Sequence, residues 1–516
     1  MLEAEEVYQP FLKPLLDKPQ SRYRFLADNG IDPNFDQSRF QPGFFEKLLR
    51  QNRAERQGTD TEVSLNPQSP TLLLARLSGR PKIVPLGTKR RKILTERLFF
   101  NYVRSLIDGS GIHSLGKVRM LLWIQDYDKF AYMPRSMSVR NDISKLLDIA
   151  SNTSEIAGSS DTPIFRRRAK YEILSALDTA RRMNQSGISM RRDRSSKLHK
   201  EALIAVNVTE QSRSVADVVA SGETVARRSY NLVEELSEME ALERDFYVRG
   251  HFKRHKRTED MTSNDKRYKE MTPEYLRMVE LQKKLATLTM APSLLPHPAL
   301  STNAILLEDL HQLECDVQNT PSLDPTLQIK KEAMEALAMR ITRLKERLRT
   351  RHVIDLAHLD DNAMAFRRVP PPAQWDRRQF EPLIVRANEF FPRLKMALLD
   401  IVPKDASEIC ERAAMFKMPL ARALRPLATH SIERALEQIA HGSAEALLPN
   451  CPALRNPLKG GRMHLENLRV RMLTDEMLQE LFDAWNSWPF KKSDQQILNS
   501  LNRSTLHPHD EDVDVD

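Results

Sequence analysis

The chain has 516 residues, enough for two or three domains with cores of their own. Lysine and arginine exceed aspartate and glutamate by 79 to 70, a formal charge of +9 and a pI near 9.3, a balance that fits a solvated basic surface or a polyanion partner alike. The three cysteines, Cys315, Cys410 and Cys451, form no CxxC pair, which excludes a zinc-ribbon or disulfide framework and points to a reducing compartment. No apolar run approaches the ~20 residues of a membrane helix, so no membrane insertion is expected.

In chain order, Met1-Leu-Glu3 reads as the tail of a strand and Val7 to Leu16 as the helix after it. Residues 27–70 are polar and Pro-interrupted, with a helix around Phe44 to Arg50. Leu72 to Ala75 and Val118 to Ile124 are short apolar runs ended by turn or polar residues. Between them, Leu94, Leu98, Val103, Leu106 and Ile107 keep helical spacing. Two apolar strands flanking a helix predict a right-handed crossover in a parallel sheet buried on both faces. The chemistry of such sheets lies just beyond the carboxyl ends of the strands, here at Arg76-Leu77-Ser78-Gly79. A helix over Ser138 to Ile149 and the segment Ser154 to Gly158 close this α/β section, residues 1–160.

Residues 161–368 form a basic helical insertion in which aromatics thin out. Met334, Leu337, Ile341, Leu344 and Leu348 draw one apolar seam, read as helix-to-helix packing within a bundle because too few heptads follow for a coiled coil. After the stiff Val369-Pro-Pro-Pro372 linker, residues 369–405 return to strand-like sequence at Phe380 to Val385 and Met396 to Val402. Residues 406–505 read as a helical C-terminal domain, with helices over Ser407 to Phe416, Ile432 to Ile439 and Asp475 to Trp485 and with Trp485 and Trp488 buried. The acidic tail, residues 506–516, is expected to be disordered.

Several blocks carry a family resemblance in order along both ends of the chain. They are Tyr8-Gln-Pro-Phe-Leu-Lys-Pro-Leu-Leu-Asp17, Val118 to Asp126 with Met133-Pro-Arg135, Trp375-Asp-Arg-Arg-Gln-Phe-Glu-Pro382, Glu389-Phe-Phe-Pro392 and Ala397 to Lys404. Leu448-Pro-Asn-Cys-Pro452, Gly460-Gly461 and Ala484 to Phe490 complete the series. Together they resemble the rRNA adenine N6-dimethyltransferase family, and more closely its fungal mitochondrial transcription factor B branch. The resemblance implies an α/β, Rossmann-like methyltransferase core, with the first strand absent from this chain, carrying a helical insertion and a helical C-terminal domain. Two strands after the insertion would complete the sheet, and Phe391-Pro392 with Ala397 to Asp400 would border the target-base pocket.

Active members hold S-adenosylmethionine with a glycine-rich loop and an acidic residue on its ribose, and grip a flipped adenine with an Asn-Leu-Pro-Tyr-type motif. Here Glu3 matches the acid, with Glu5 as the fallback if the register slips, and the glycine loop has no counterpart. The gripping motif reads Arg76-Leu77-Ser78-Gly79. Arginine carries only donors and cannot accept from an amine, and Gly79 offers no ring, a loss of ~1–3 kcal/mol of stacking per base. The expectation is therefore a vestigial site with no catalytic residue, no metal site and no cofactor held by this chain. S-adenosylmethionine would bind only if sequence upstream restored the loop.

Nucleic-acid contacts are expected at Lys89, Arg90, Arg91 and Lys92, at Arg166, Arg167 and Arg168, at Arg191, Arg192 and Arg194, and at Lys253, Arg254, Lys256 and Arg257 within an aromatic-basic stretch from His251. Trp375-Asp-Arg-Arg378 reads as a structural clasp, with Asp376 pairing Arg377 or Arg378. His113, His441 and His464 show no ligand spacing. The resemblance implies a factor of the mitochondrial matrix that binds the mitochondrial RNA polymerase and stabilises melted promoter DNA. An rRNA dimethyltransferase and a non-catalytic mitochondrial ribosome assembly factor, each with rRNA as partner, are the alternatives.

Overall fold

The structure is a computed structural model and describes residues 6–18, 71–76, 102–110, 113, 117–159, 167–210, 232–250, 272–292, 298–391 and 393–497. Its sheet has five strands: Thr71–Arg76 (β1), Val118–Gln125 (β2), Ser151–Gly158 (β3), Leu383–Ile384 (β4) and Met396–Pro403 (β5), in the spatial order β1–β2–β5–β3–β4. β1 and β2 pair in parallel, as do β3 and β4, while β5 runs antiparallel to both β2 and β3. The first four strands therefore point one way and share a carboxyl edge, with the last strand reversed among them. This is a mixed α/β sheet within a mostly helical chain. β4 is cut to two residues because Pro382 brings no N–H and Glu381 is drawn into a buried ion pair with Arg378.

β2 alternates with period two. Val118, Met120, Leu122 and Ile124 are buried, while Arg119 is exposed and Leu121, Trp123 and Gln125 are half-buried. The buried set packs with Leu399 and Ile401 of β5 against Tyr102 and Val103 from the helix at 102–108 and against Leu146 and Leu147. Complete burial of a Leu, Ile or Met contributes about 1.5–3 kcal/mol each. The sheet is thus fully buried on one face, not on both as the apolar runs predict. On its other face Arg119 and Asp400 form a bidentate ion pair at 2.6–2.8 Å, an arrangement that suits a partly solvated surface.

In chain order the helices are α1 (Gln9–Leu16), α2 (102–108), α3 (Asp142–Ala150), α4 (Ala169–Gln185), α5 (Lys197–Glu210), α6 (Leu232–Arg244), α7 (Pro273–Thr289), α8 (Pro298–Asn319), α9 (Thr326–Lys345) and α10 (Thr350–Arg367). After β5 come α11 (Ala406–Lys417), α12 (Pro419–Leu424), α13 (Ile432–Ile439) and α14 (Asp475–Ser487). α3 starts on a capping box in which Asn141 accepts from the Ser144 N–H at 2.9 Å and Ser144 Oγ accepts from the Asn141 N–H at 3.1 Å. α4 to α7 enclose one core around Ile173, Leu177, Leu236, Met239 and Leu285. α8 to α10 enclose a second, in which Met334 and Ile341 of the α9 seam are buried and Leu337, Leu344 and Leu348 pack on its border.

The C-terminal core, built on Leu436, Leu454, Met477 and Trp485, also takes Met364 and Ala365 from the end of α10. α10 therefore belongs to two cores, and the Pro370–Pro372 segment does not separate independent bodies. Charge joins the same parts. Glu314 of α8 and Asp360 and Asp361 of α10 are buried, and they meet Arg462, Arg469 and Arg471 from the C-terminal domain. His464 also reaches Glu314 at 3.2 Å and Glu335 at 3.4 Å. Glu314 is held well below the usual carboxylate range: burial opposes ionisation, and His311, His464 and Arg462 more than offset it.

Candidate functional site

The carboxyl edge of β2 and β3 is filled by the chain's own ions. Lys129, on the helical turn after β2, is buried with Asp126 and Glu155. Its ammonium donates to Asp126 Oδ1 and to Glu155 Oε1, both at 2.7 Å, and Asp126 Oδ1 also accepts from the Ser159 N–H at 3.0 Å. A lysine placed here satisfies two buried carboxylates that would otherwise repel each other. Gly158 ends β3 against this cluster, where an added Cβ would fall 1.9 Å from Glu155 Oε1.

Beside the triad stands Trp375, buried between two guanidiniums, with the Arg135 Cζ 3.5 Å and the Arg378 Cζ 3.9 Å from the ring centroid. The residues Arg135, Glu155, Trp375, Arg378 and Glu381 line a cleft of about 80 Å³. Small-molecule sites run to roughly 300–1,000 Å³, so this cleft admits water and not a nucleoside. A larger open groove of about 810 Å³ lies on α8 and α9, lined by Met334, Met339 and Met463 among others. It is lined by α8, α9, the turn between them and Met463, with no residue of the sheet, and its ionisable groups are Lys331, Glu332 and Glu335.

On the outer rim of the edge the side chains are aromatic. Trp123 and Phe390 meet edge to face at 5.0 Å. Tyr127, four residues on from Trp123, and Phe391, next to Phe390, are 70% and 49% exposed. The Tyr8 hydroxyl accepts from the Phe391 N–H at 2.8 Å, which ties the first described turn of the chain to this rim. Two blocks 383 residues apart are thereby brought together. The Trp123–Phe390 contact could not be read from spacing, because it depends on where β5 enters the sheet.

Of the residues expected at the site, Arg76 is the last residue of β1 and lies opposite Trp123 in the register. Glu3, Glu5, Leu77, Ser78, Gly79, Lys89, Arg90, Arg91, Lys92, Arg166, Lys253, Arg254, Lys256 and Arg257 lie outside the described residues. So does the strand expected at Met1 to Glu3.

Arg167 and Arg168 require a correction: neither faces a nucleic acid. Arg167 is 2% exposed and grips Asp376 through two bonds of 2.6 and 2.9 Å, with Glu172 2.6 Å from its Nε. Arg168 is equally buried between Glu243 and Glu308. Glu308 is held down to about 2; burial pushes the other way, and Arg168, Lys170 and Arg367 prevail. A run of arginines before a helix reads as a surface patch, but here four acidic partners claim it, three of them from distant segments. Arg194 likewise binds Glu389 and the Ile384 carbonyl, and Arg191 pairs with Asp193 at the surface, while Arg192 is exposed.

The Trp375 block is a clasp, with different partners from those expected. Asp376 holds Arg167, Arg377 pairs with Asp148, and Arg378 pairs with Glu381 and donates to Ser175 Oγ at 2.7 Å. His113 is a structural histidine at the foot of β2. Its Nδ1 accepts from the Val118 N–H at 3.3 Å, and burial lowers its pKa to about 4.

Comparison with family models, curated proteins and solved structures found no match for this chain.

Proposed function

We propose that this chain is a mitochondrial transcription initiation factor, a methyltransferase-like core turned to binding the mitochondrial RNA polymerase and holding melted promoter DNA. One observation carries the reading. At a single sheet edge the interior is closed by Asp126, Lys129 and Glu155, while outside it Trp123 and Phe390 meet edge to face and Tyr127 and Phe391, on the same two segments, are exposed. Aromatic faces accept unpaired bases of any sequence, and each stacked base contributes about 1–3 kcal/mol. A flipping enzyme instead needs an enclosed pocket that reads the base edge.

The order of the resemblance blocks and the donor-only Arg76 in the gripping motif support the same reading. The mitochondrial matrix and promoter DNA belong to it. S-adenosylmethionine has no part in the proposed action.

The test is promoter-dependent transcription by purified single-subunit mitochondrial polymerase. The factor should be needed on a linear duplex and dispensable on a template with a pre-melted bubble. Tyr127→Ala together with Phe391→Ala should reduce open-complex formation by about tenfold or more, the equivalent of one or two lost stacks. Methyl transfer from labelled S-adenosylmethionine to small-subunit rRNA would overturn the proposal in favour of a dimethyltransferase. Association with ribosomal precursors and no effect on transcription would favour an assembly factor.

A further inference from the structure

Residues 340–351 read Arg340-Ile-Thr-Arg-Leu-Lys-Glu-Arg-Leu-Arg-Thr-Arg351, six basic side chains in twelve positions with one acid, Glu346. The segment spans the end of α9, the turn after it and the start of α10. Ile341 is buried and Leu344 and Leu348 pack at the border of the second helical core, which fixes how the segment is oriented. Arg340, Arg343 and Arg347 each stand one position before those three residues, so they form a stripe beside the seam, and all three are exposed. Arg340 and Arg343 lie on α9, about 4.5 Å apart by helical rise, and Arg347 follows in the turn. Arg349 and Arg351 extend the stripe around that turn and are exposed as well.

These five guanidiniums behave unlike the buried arginines of the fold. Arg167, Arg168, Arg378, Arg462, Arg469 and Arg471 are each consumed by a buried carboxylate. Among the described residues none of the five forms an ion pair, and only Lys345 is engaged, donating to Asn467 at 2.6 Å. Arg349 caps α10 without a side-chain acceptor, and no acidic residue occupies the first turn. Cations at a helix start oppose the backbone dipole, so Arg349 and Arg351 gain nothing from it, while Arg343 in the last turn of α9 is favourably placed. A concentration of charge without ion-pair partners points outward.

We infer that the α9–α10 corner is a second nucleic-acid surface, one that grips the phosphodiester backbone of a duplex without reading its sequence. The chemistry selects this partner. Guanidinium forks match phosphate oxygens bidentately where ammonium groups act as point charges. No aromatic residue stands in 340–351, so bases cannot be stacked there and a single strand gains nothing over a duplex beyond its charge. The corner rests on the proposed function only in its choice of polyanion. It would hold promoter duplex outside the melted region, at a site separate from the aromatic rim.

The experiment uses the full chain and a random-sequence 25-base-pair duplex, with binding followed by anisotropy across a salt series. The triple variant Arg343→Gln, Arg347→Gln, Arg349→Gln should lose about a hundredfold in affinity near physiological salt. Its log–log salt slope should fall by about three, close to one released counterion per lost phosphate contact. Should the triple variant not fold, the single changes should each reduce the slope by about one.

A charge-matched control, Arg422→Gln, Arg434→Gln, Arg455→Gln, removes three exposed arginines outside both proposed nucleic-acid surfaces and should change little. Equal losses in both triples, or unchanged binding by the first, would overturn the inference. Binding to phosphatidylserine vesicles without binding to duplex would overturn it too, in favour of a lipid surface. If the slope falls as expected while the wild-type protein fails to support transcription, the proposed function fails and this surface stands.

Discussion

Arg167 shows how far a single guanidinium can organise this chain. It spans from the start of α4 to Asp376, 209 residues away, and also donates to the Arg135 carbonyl at 2.7 Å. Removing one partner of a buried ion pair leaves the other desolvated and uncompensated, which typically costs about 3–5 kcal/mol. Arg167→Ala should therefore lose stability of that order in urea denaturation. Asp376→Asn should lose less, because Glu172 still faces the guanidinium. Neither change should alter duplex affinity of the folded protein; a loss of binding with unchanged stability would restore Arg167 to the nucleic-acid interface.

His113 supplies a second test at this scale. Its pKa is lowered to about 4 by burial, so the unfolded state takes up a proton before the folded state does. Its contribution is intact above about pH 6.5 and is lost as pH falls from there toward 4. His113→Gln should flatten that part of the stability profile.

Among the elements, strands β1 and β2 and helices α1, α3, α9, α11, α13 and α14 were legible because periodicity reports burial directly, while α4, α5, α6, α8 and α10 were expected only as an undivided helical insertion. α13 matches its expected span residue for residue, and α11 and α14 agree within two residues at either end. β3 was not legible. Its inward positions include Ser151, Thr153 and Glu155, polar residues that become buried by bonding to one another or to Lys129. Sequence patterns register apolar alternation and miss a strand whose inward face is polar and mutually satisfied. The aromatic rim was legible only as separate blocks. The α9–α10 arginines were hidden behind the apolar seam that shares their segment.

β3 also carries a test at its own scale. Gly158→Ala would push into Glu155 Oε1, which is held by Lys129, while Oε2 of the same carboxylate faces Arg135 at 3.7 Å. Overpacking of this kind costs about 1–3 kcal/mol, so the variant should melt several degrees lower. An unchanged melting temperature would mean that the ionic plug yields freely and does not close the edge.

For the molecule as a whole, the described charges divide by role. Carboxylates on α8 and α10 meet guanidiniums from the C-terminal domain inside the protein, and the unpaired arginines at the α9–α10 corner remain outside. His464 belongs to the internal set. Its hydrogen bond to Glu314 raises its pKa, burial opposes this, and Glu335 adds to the rise. A raised histidine contributes fully below about pH 6.5 and loses that contribution as pH climbs through its folded value. Glu314, with its depressed pKa, contributes above about pH 4.5 and loses its share as pH falls below that. His311, also facing Glu314, has its pKa lowered by burial and loses its contribution as pH falls below about 6.5. From about pH 4 to 8 the junction should therefore loosen toward acid through His311 and Glu314 and toward alkali through His464. Hydrogen exchange of α10 across that range would report it, and His464→Gln should abolish the alkaline loosening while leaving the acid one.

The same junction has a consequence during synthesis. Arg462 emerges 102 residues after Asp360 and 148 after Glu314, and Arg469 emerges 108 after Asp361. At about 5–20 residues per second, the acidic faces of α8 and α10 wait roughly 5–30 s for their counter-charges. Throughout that interval a nascent chain has three carboxylates that cannot be withdrawn from water, and its second helical core cannot close around them. Ribosomes stalled between those codons should release a product that degradation machinery removes quickly, whereas stalling after Arg471 should spare it.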